Sequence, residues 1–328
     1  MFGSVLRCDC RAWSRQFVAI CCILTSGCAW TQSASGPAAP TLLKPRATLS
    51  GANVITQPNP IFSAPQVHSF PTYLQWIAPT AVAARNTFLY VADSGRRQIF
   101  RYDTVRQAMT PFSEYNGAVR SMIAAPDLSL YIADSNSRQV FHFAPDGRLL
   151  RTFSNSIDLG LPVAVLLDEP TGQLLVADNL YNHIVVFNSL GQTITALKSS
   201  ETRSIDAMAR GPDGLYLVDR TGRQVAVLAP DGRDLYTLGT DTLIDPNAIA
   251  VDRFNRVYVS DFFDNTIKIY EQGTMLGKIG GTGNTPASFN RVTGLWLEHN
   301  LLYVADSLNG RIQTFQIAPG SVKGPPRE

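Results

Sequence analysis

The sequence predicts an all-β chain folded as a six-bladed β-propeller of four-stranded blades, and three observations in its 328 residues carry that prediction. First, a short strand ending in Asp recurs as FLYVAD, SLYIAD, QLLVAD, GLYLVD, RVYVSD and LLYVAD, placing carboxylates at Asp93, Asp134, Asp178, Asp219, Asp261 and Asp306. Second, the separations are 41, 44, 41, 42 and 45 residues, a regular period of the kind shown by units that bury their apolar faces only against one another. Third, each unit has the length and turn chemistry for four strands, which is one propeller blade.

The elements follow in order within each unit. Three places before the Asp stands Tyr90, Tyr131, Leu175, Tyr216, Tyr258 or Tyr303; six places after it stands Ile99, Val140, Ile184, Val225, Ile267 or Ile312. Nine places after it Tyr102, Phe143, Phe187, Leu228, Tyr270 or Phe315 closes a second strand. An apolar stretch upstream (TAVAA, RSMIA, VAVLL, DAMAR, NAIAV, TGLWL) supplies a third. Pro145-Asp146-Gly147, Pro230-Asp231-Gly232 and Pro212-Asp213-Gly214 are tight-turn signals, and residues 148–153 and 233–238 give the fourth strand. The last unit stops near Ile317, so its fourth strand must come from elsewhere. Residues 65–76, with QVHSF and YLQW, are the segment expected to close the ring, which removes an edge that would otherwise template aggregation.

Over residues 76–317 the pattern resembles NHL repeats, in YVADS, in GTGNTPASFNRVTGL (281–295) and in the Ile or Val six residues beyond the Asp. The His common in the loop after the Asp is absent here except at a shifted place, His183, and Leu175 is a weak member of its column. The YWTD family has a similar period but a Trp after the strand Tyr, where this chain has Val91, Ile132, Val176, Leu217, Val259 and Val304.

The amino terminus is of another kind. Arg7, Arg11 and Arg15 precede an uncharged apolar run over 17–27, the composition of a secretory signal and too short for a membrane span. Its end, Leu24-Thr25-Ser26-Gly27-Cys28, resembles the lipobox of bacterial lipoproteins, with Thr25 in place of the usual Leu. The resemblance implies a lipid on Cys28, a cleaved segment 1–27 and, from Ala29, the outer membrane, leaving open whether the head faces the periplasm or the surface. Residues 28–60, rich in Ala, Ser, Thr and Pro, are then a tether, 61–319 the ring, whose first residues complete the last blade, and 320–328 a frayed tail. All five cysteines precede residue 29, so none is left to staple the ring or hold a metal there. The formal charge of +2 resides in the signal, and a near-neutral ring does not fit a nucleic-acid binder. A monomer is expected.

The Asp column reads as turn chemistry repeated in each blade, because such a carboxylate accepts N–H bonds from its own loop. The Tyr column reads as packing between blades. Function belongs where blades differ. The loops after the Asp bring Arg97, Arg138 and Arg223 together with Tyr181, Phe262 and Phe263, the composition of a binding surface. The residue preceding each small-residue column, Thr80, Arg120, Val163, Asp206, Asn247 or Thr293, is placed at the channel mouth, where Arg120, Asp206 and Asn247 form a polar set suited to an anionic or polar ligand. The function expected is a non-catalytic, membrane-anchored module binding an envelope protein, glycan or small ligand through this loop face, with no cofactor. The alternative is a metal-dependent lyase or lactonase-like hydrolase acting at the channel. Against it, His68, His142, His183 and His299 fall in registers that do not converge, and Asp206 with Asn247 supplies too few ligands for a hard cation. No nucleophile motif is present.

Overall fold

The computed structural model describes residues 42–54, 72–115 and 117–319. The signal, Cys28, His68, the tail from 320 and the first part of the segment 65–76 lie outside the described residues. Within them the chain is a six-bladed propeller of antiparallel blades, built almost wholly of strands. Blades 1 to 5 span 79–114, 119–153, 162–197, 207–238 and 246–280, and each runs from an inner strand at the axis to an outer one. The inner strands are Pro79–Arg85, Val119–Ala124, Pro162–Asp168, Ala207–Gly211, Pro246–Val251 and Val292–Glu298.

Blade 6 is completed from the other end of the chain. Leu43–Leu49 pairs antiparallel with Arg311–Ile317, Leu43 opposite Ile317 and Leu49 opposite Ile312, with a bulge between Pro45 and Ala47. The closing strand therefore lies within the stretch read from sequence as tether, and residues 65–76 do not supply it. Thr72–Gln75 instead pairs with Gly51–Val54, and these two strands extend blade 1 to six. The physical reason is visible in Leu43–Leu49 itself. Of its seven side chains only Leu43 is buried, so an outermost strand carries almost no apolar alternation, and its edge position tolerates Pro45.

Strand direction sorts the turns onto two ends of the ring. The Asp-anchored turns share one end with the approaches to the inner strands, here termed the upper end. The turns holding Pro145, Pro212 and Pro230 lie at the lower end. All six column Asp residues are buried and each clips an approach to the turn of the same blade. Asp93 accepts from the N–H groups of Ile77 (2.7 Å), Ala78 (3.0 Å), Gly95 (3.0 Å) and Arg96 (3.2 Å). Asp178 does the same with Gly160 (2.7 Å), Leu161 (2.5 Å) and Tyr181 (2.9 Å). The Tyr column packs between blades as expected, with Tyr90, Tyr216, Tyr258 and Tyr303 buried. The Tyr90 hydroxyl donates to the carbonyl of Leu128 in blade 2 (3.1 Å).

Candidate functional site

The inner strands enclose a channel of about 410 Å³. Its walls are largely apolar, with Val82, Met122, Val165, Met208 and Ile249, and its upper mouth is polar. Thr80, Arg120, Val163, Asp206, Asn247 and Thr293 all line it, so the register read from the small-residue column holds in every blade. Inner strands are tied to one another there: Asn247 Nδ2 donates to the carbonyls of Val292 and Thr293 (both 3.4 Å), and Thr293 Oγ1 to that of Pro79 (3.1 Å). Asp206 Oδ2 accepts from Ser204 Oγ (2.7 Å) and the Arg220 N–H (3.3 Å).

The loop residues divide. Phe262, directly after its column Asp, turns into the mouth, as do Ser94 and Arg220 at the equivalent place in blades 1 and 4. The Arg220 guanidinium lies 5.6 Å from the Phe262 ring centre and is held bidentately by Asp245, whose hydrogen bond raises the Arg220 pKa above its ordinary value. Arg291 lies 4.7 Å from the same ring and also lines the mouth. Arg291 ends the approach 281–291, at the place held by Ala78, Ala118, Leu161, Ser204 and Asp245 in the other blades; sequence reasoning missed it because no residue type recurs at that place, and a lone Arg two residues before Thr293 was the available signal. Arg291 has φ 66°, a left-handed conformation that a non-glycine residue adopts at a cost.

Arg97, Arg138 and Arg223 do not join this group. They occupy the fourth place after the column Asp, where all six blades turn through the left-handed region: φ is 54°, 58°, 52°, 57°, 52° and 58° at Arg97, Arg138, Asn182, Arg223, Asn265 and Gly310. None of the three arginines lines the channel; they are exposed on the upper rim. Phe263 is 67% exposed there, and Tyr181 is exposed with its ring 5.7 Å from His183.

The described histidines are scattered. His142 stacks on Tyr131 at 4.0 Å and meets Ser129 Oγ at 2.9 Å, and burial pulls its pKa below the usual value. His183 Nε2 lies 2.6 Å from the Asp158 carbonyl oxygen, and His299 is exposed beside Glu298. Among the described residues no three His, Cys, Asp or Glu side chains converge as a metal site would require.

No protein-family model and no curated protein matches the sequence. The solved structures with similar folds include a streptogramin B lyase, at TM-score 0.57 and 11% identity over 82% of this chain and 97% of that one. They also include virginiamycin B lyase from Staphylococcus aureus, at TM-score 0.56 and 10% identity over 74% and 95%. A protein of unknown function from Bacteroides thetaiotaomicron reaches TM-score 0.64 and 15% identity over 83% and 75%. The likeness is one of fold.

Proposed function

We propose that this chain is a ligand-binding propeller of the bacterial cell envelope, of NHL type, tethered through a lipid on Cys28 and holding an anionic ligand at the upper mouth of its channel. The observation that carries the reading is a pair of guanidinium groups. Arg120 and Arg291 stand in the mouth, exposed, and neither forms an ion pair among the described residues. Arg220 is committed to Asp245, so a ligand carboxylate or phosphate meets Arg120 and Arg291 as the available donors. A planar guanidinium fork suits either group. Asn247 and Asp206 line the same mouth as polar groups that orient the ligand, and the apolar wall below accepts its uncharged part.

Calorimetric titration with small carboxylates and inorganic phosphate tests the reading. Arg120→Ala and Arg291→Ala are each expected to weaken the bound anion by about tenfold or more, the worth of one hydrogen bond to a charged group. Failure of every probe to bind, or binding by both variants as tight as the parent's, refutes it. The tether is tested separately: Cys28→Ser releases the head from the membrane fraction if the lipid is the anchor.

The fold shared with streptogramin B lyase is the one observation favouring a metal-dependent lyase instead. That reading requires metal retained after purification in chelator-free buffer.

A further inference from the structure

The end of the ring that holds the channel mouth also gathers the exposed apolar side chains. Ile77 and Ile157, on approaches to blades 1 and 3, and Leu180, Phe263 and Leu308, in the Asp-anchored turns of blades 3, 5 and 6, are each more than half exposed. Among the described residues, the turns of the lower end expose only Val105 and Leu190 to that degree. Around the apolar tips stand Arg97, Arg138, Arg203 and Arg223, exposed and without a carboxylate partner among the described residues. Glu114, Glu201 and Asp241 are the exposed carboxylates of the same end. The exposed charges of the lower turns are of both signs, with Asp127, Asp146, Asp213 and Asp231 beside Arg106, Arg148, Arg233 and Arg253.

We propose that the upper rim docks onto an anionic phospholipid surface, its apolar tips entering the headgroup boundary while the four arginines meet lipid phosphates. Charge selects this occupant first: a second copy meeting the rim face to face would set arginine against arginine, and the lower turns, with charges of both signs, offer no matching acidic face, whereas an anionic bilayer complements the arginines. Arrangement selects it next. The energetic centre of a protein–protein interface is a packed apolar cluster, and the centre here is the open channel mouth. Tips spread over four blades at one end of a ring can each enter a fluid surface without touching one another. The proposal stands apart from the anion reading, because Arg120 and Arg291 carry that one and neither is among these rim residues.

Sedimentation with vesicles tests it, using the full-length chain with Cys28→Ser so that no acyl chain contributes. Any binding by the apolar run 17–27 is common to parent and variants, and the difference between them reads the rim. Parent protein is expected to bind phosphatidylglycerol/phosphatidylethanolamine vesicles more tightly than phosphatidylcholine vesicles, and less so as salt rises. Arg138→Ser with Arg223→Ser should weaken binding to the anionic vesicles roughly 30-fold, from the attraction of each basic side chain near such a surface. Leu180→Ser with Phe263→Ser and Leu308→Ser should weaken it too, while Val105→Ser with Leu190→Ser at the other end should not. Circular dichroism reads whether each variant keeps its strands. Equal binding by parent and folded rim variants, or no preference for the anionic lipid, overturns the proposal, and the second result would return the rim to a protein partner.

Discussion

Replacing Asp261 by Asn tests whether the column carboxylates are held by turn chemistry alone or also by buried charge. Asp261 accepts from the N–H groups of Ile244 (2.9 Å), Asp245 (3.0 Å) and Phe263 (3.0 Å) and pairs with Lys268, which is itself buried. Asp178 has the same number of backbone donors and no cation. Asp178→Asn should therefore cost about 1–3 kcal/mol, the loss of charge-assisted bonds plus one misdirected amide. Asp261→Asn carries that cost and also strands an ammonium, and removing one partner of a buried pair costs about 3–5 kcal/mol. The expected excess is about 2 kcal/mol, softened by Asp264, whose Oδ1 lies 3.8 Å from Lys268 Nζ. Urea denaturation of the two variants measures it, and Lys268→Met in the Asp261→Asn background should recover most of the excess. Equal costs at the two sites, or no recovery, would refute the reasoning. The acid limb supplies a second readout. Burial pushes the Asp261 pKa up, yet Lys268 and the three N–H donors outweigh it and hold the carboxyl below its ordinary range. The unfolded chain takes up that proton at an ordinary pKa near 3.9, so the contribution is present above about pH 4 and is lost as pH falls toward the folded value. Asp261→Asn should lack this part of the acid destabilisation.

Two further predictions concern the backbone. Gly at Arg97, Arg138 or Arg223 should raise the melting temperature, by the equivalent of about 0.5–1 kcal/mol each, since these residues hold left-handed turns that glycine adopts without strain; a lowered midpoint would mean the arginines make stabilising contacts of their own. Removing residues 1–50 should leave Arg311–Ile317 as an unpaired edge, and size-exclusion chromatography should show concentration-dependent association. A truncated chain that stays monomeric would contradict the assignment of Leu43–Leu49 as the closing strand.

What was legible in the sequence was whatever the blades repeat. The Asp column could be read because one turn chemistry recurs six times, and the channel register because a stretch of small apolar residues recurs upstream of each Asp, with the mouth residue 13 to 15 places before it. The rest was hidden for local reasons. Arg97, Arg138 and Arg223 read as one loop surface with Phe262, but the fourth place of that loop lies on the rim, whereas at the first place Ser94, Arg220 and Phe262 line the channel. Only a backbone angle separates the two. Leu43–Leu49 escaped because an outermost strand with one buried side chain has no period to detect, and Arg291 because no residue type recurs at its place in the other blades. Phe262 and Phe263 were both visible as unusual aromatics, yet adjacent residues face opposite ways, and only Phe262 enters the mouth.

The pairing of Leu43–Leu49 with Arg311–Ile317 has a bearing on how the molecule comes into being. Arg46 donates to Gln316 Oε1 at 3.1 Å across 270 residues of sequence, so the first strand of the ring to emerge from synthesis must wait for the last. Five blades can collapse locally as their hairpins appear, while the sixth is bound by the largest loop the chain can close, the slowest kind of contact to form. Until then Arg311–Ile317 and Leu43–Leu49 are both unpaired edges on a chain in transit, and the time between the fifth blade and the seam is when this protein is most exposed to misassembly. Rejoining the chain so that its ends fall between two blades would remove that wait and leave the finished ring the same.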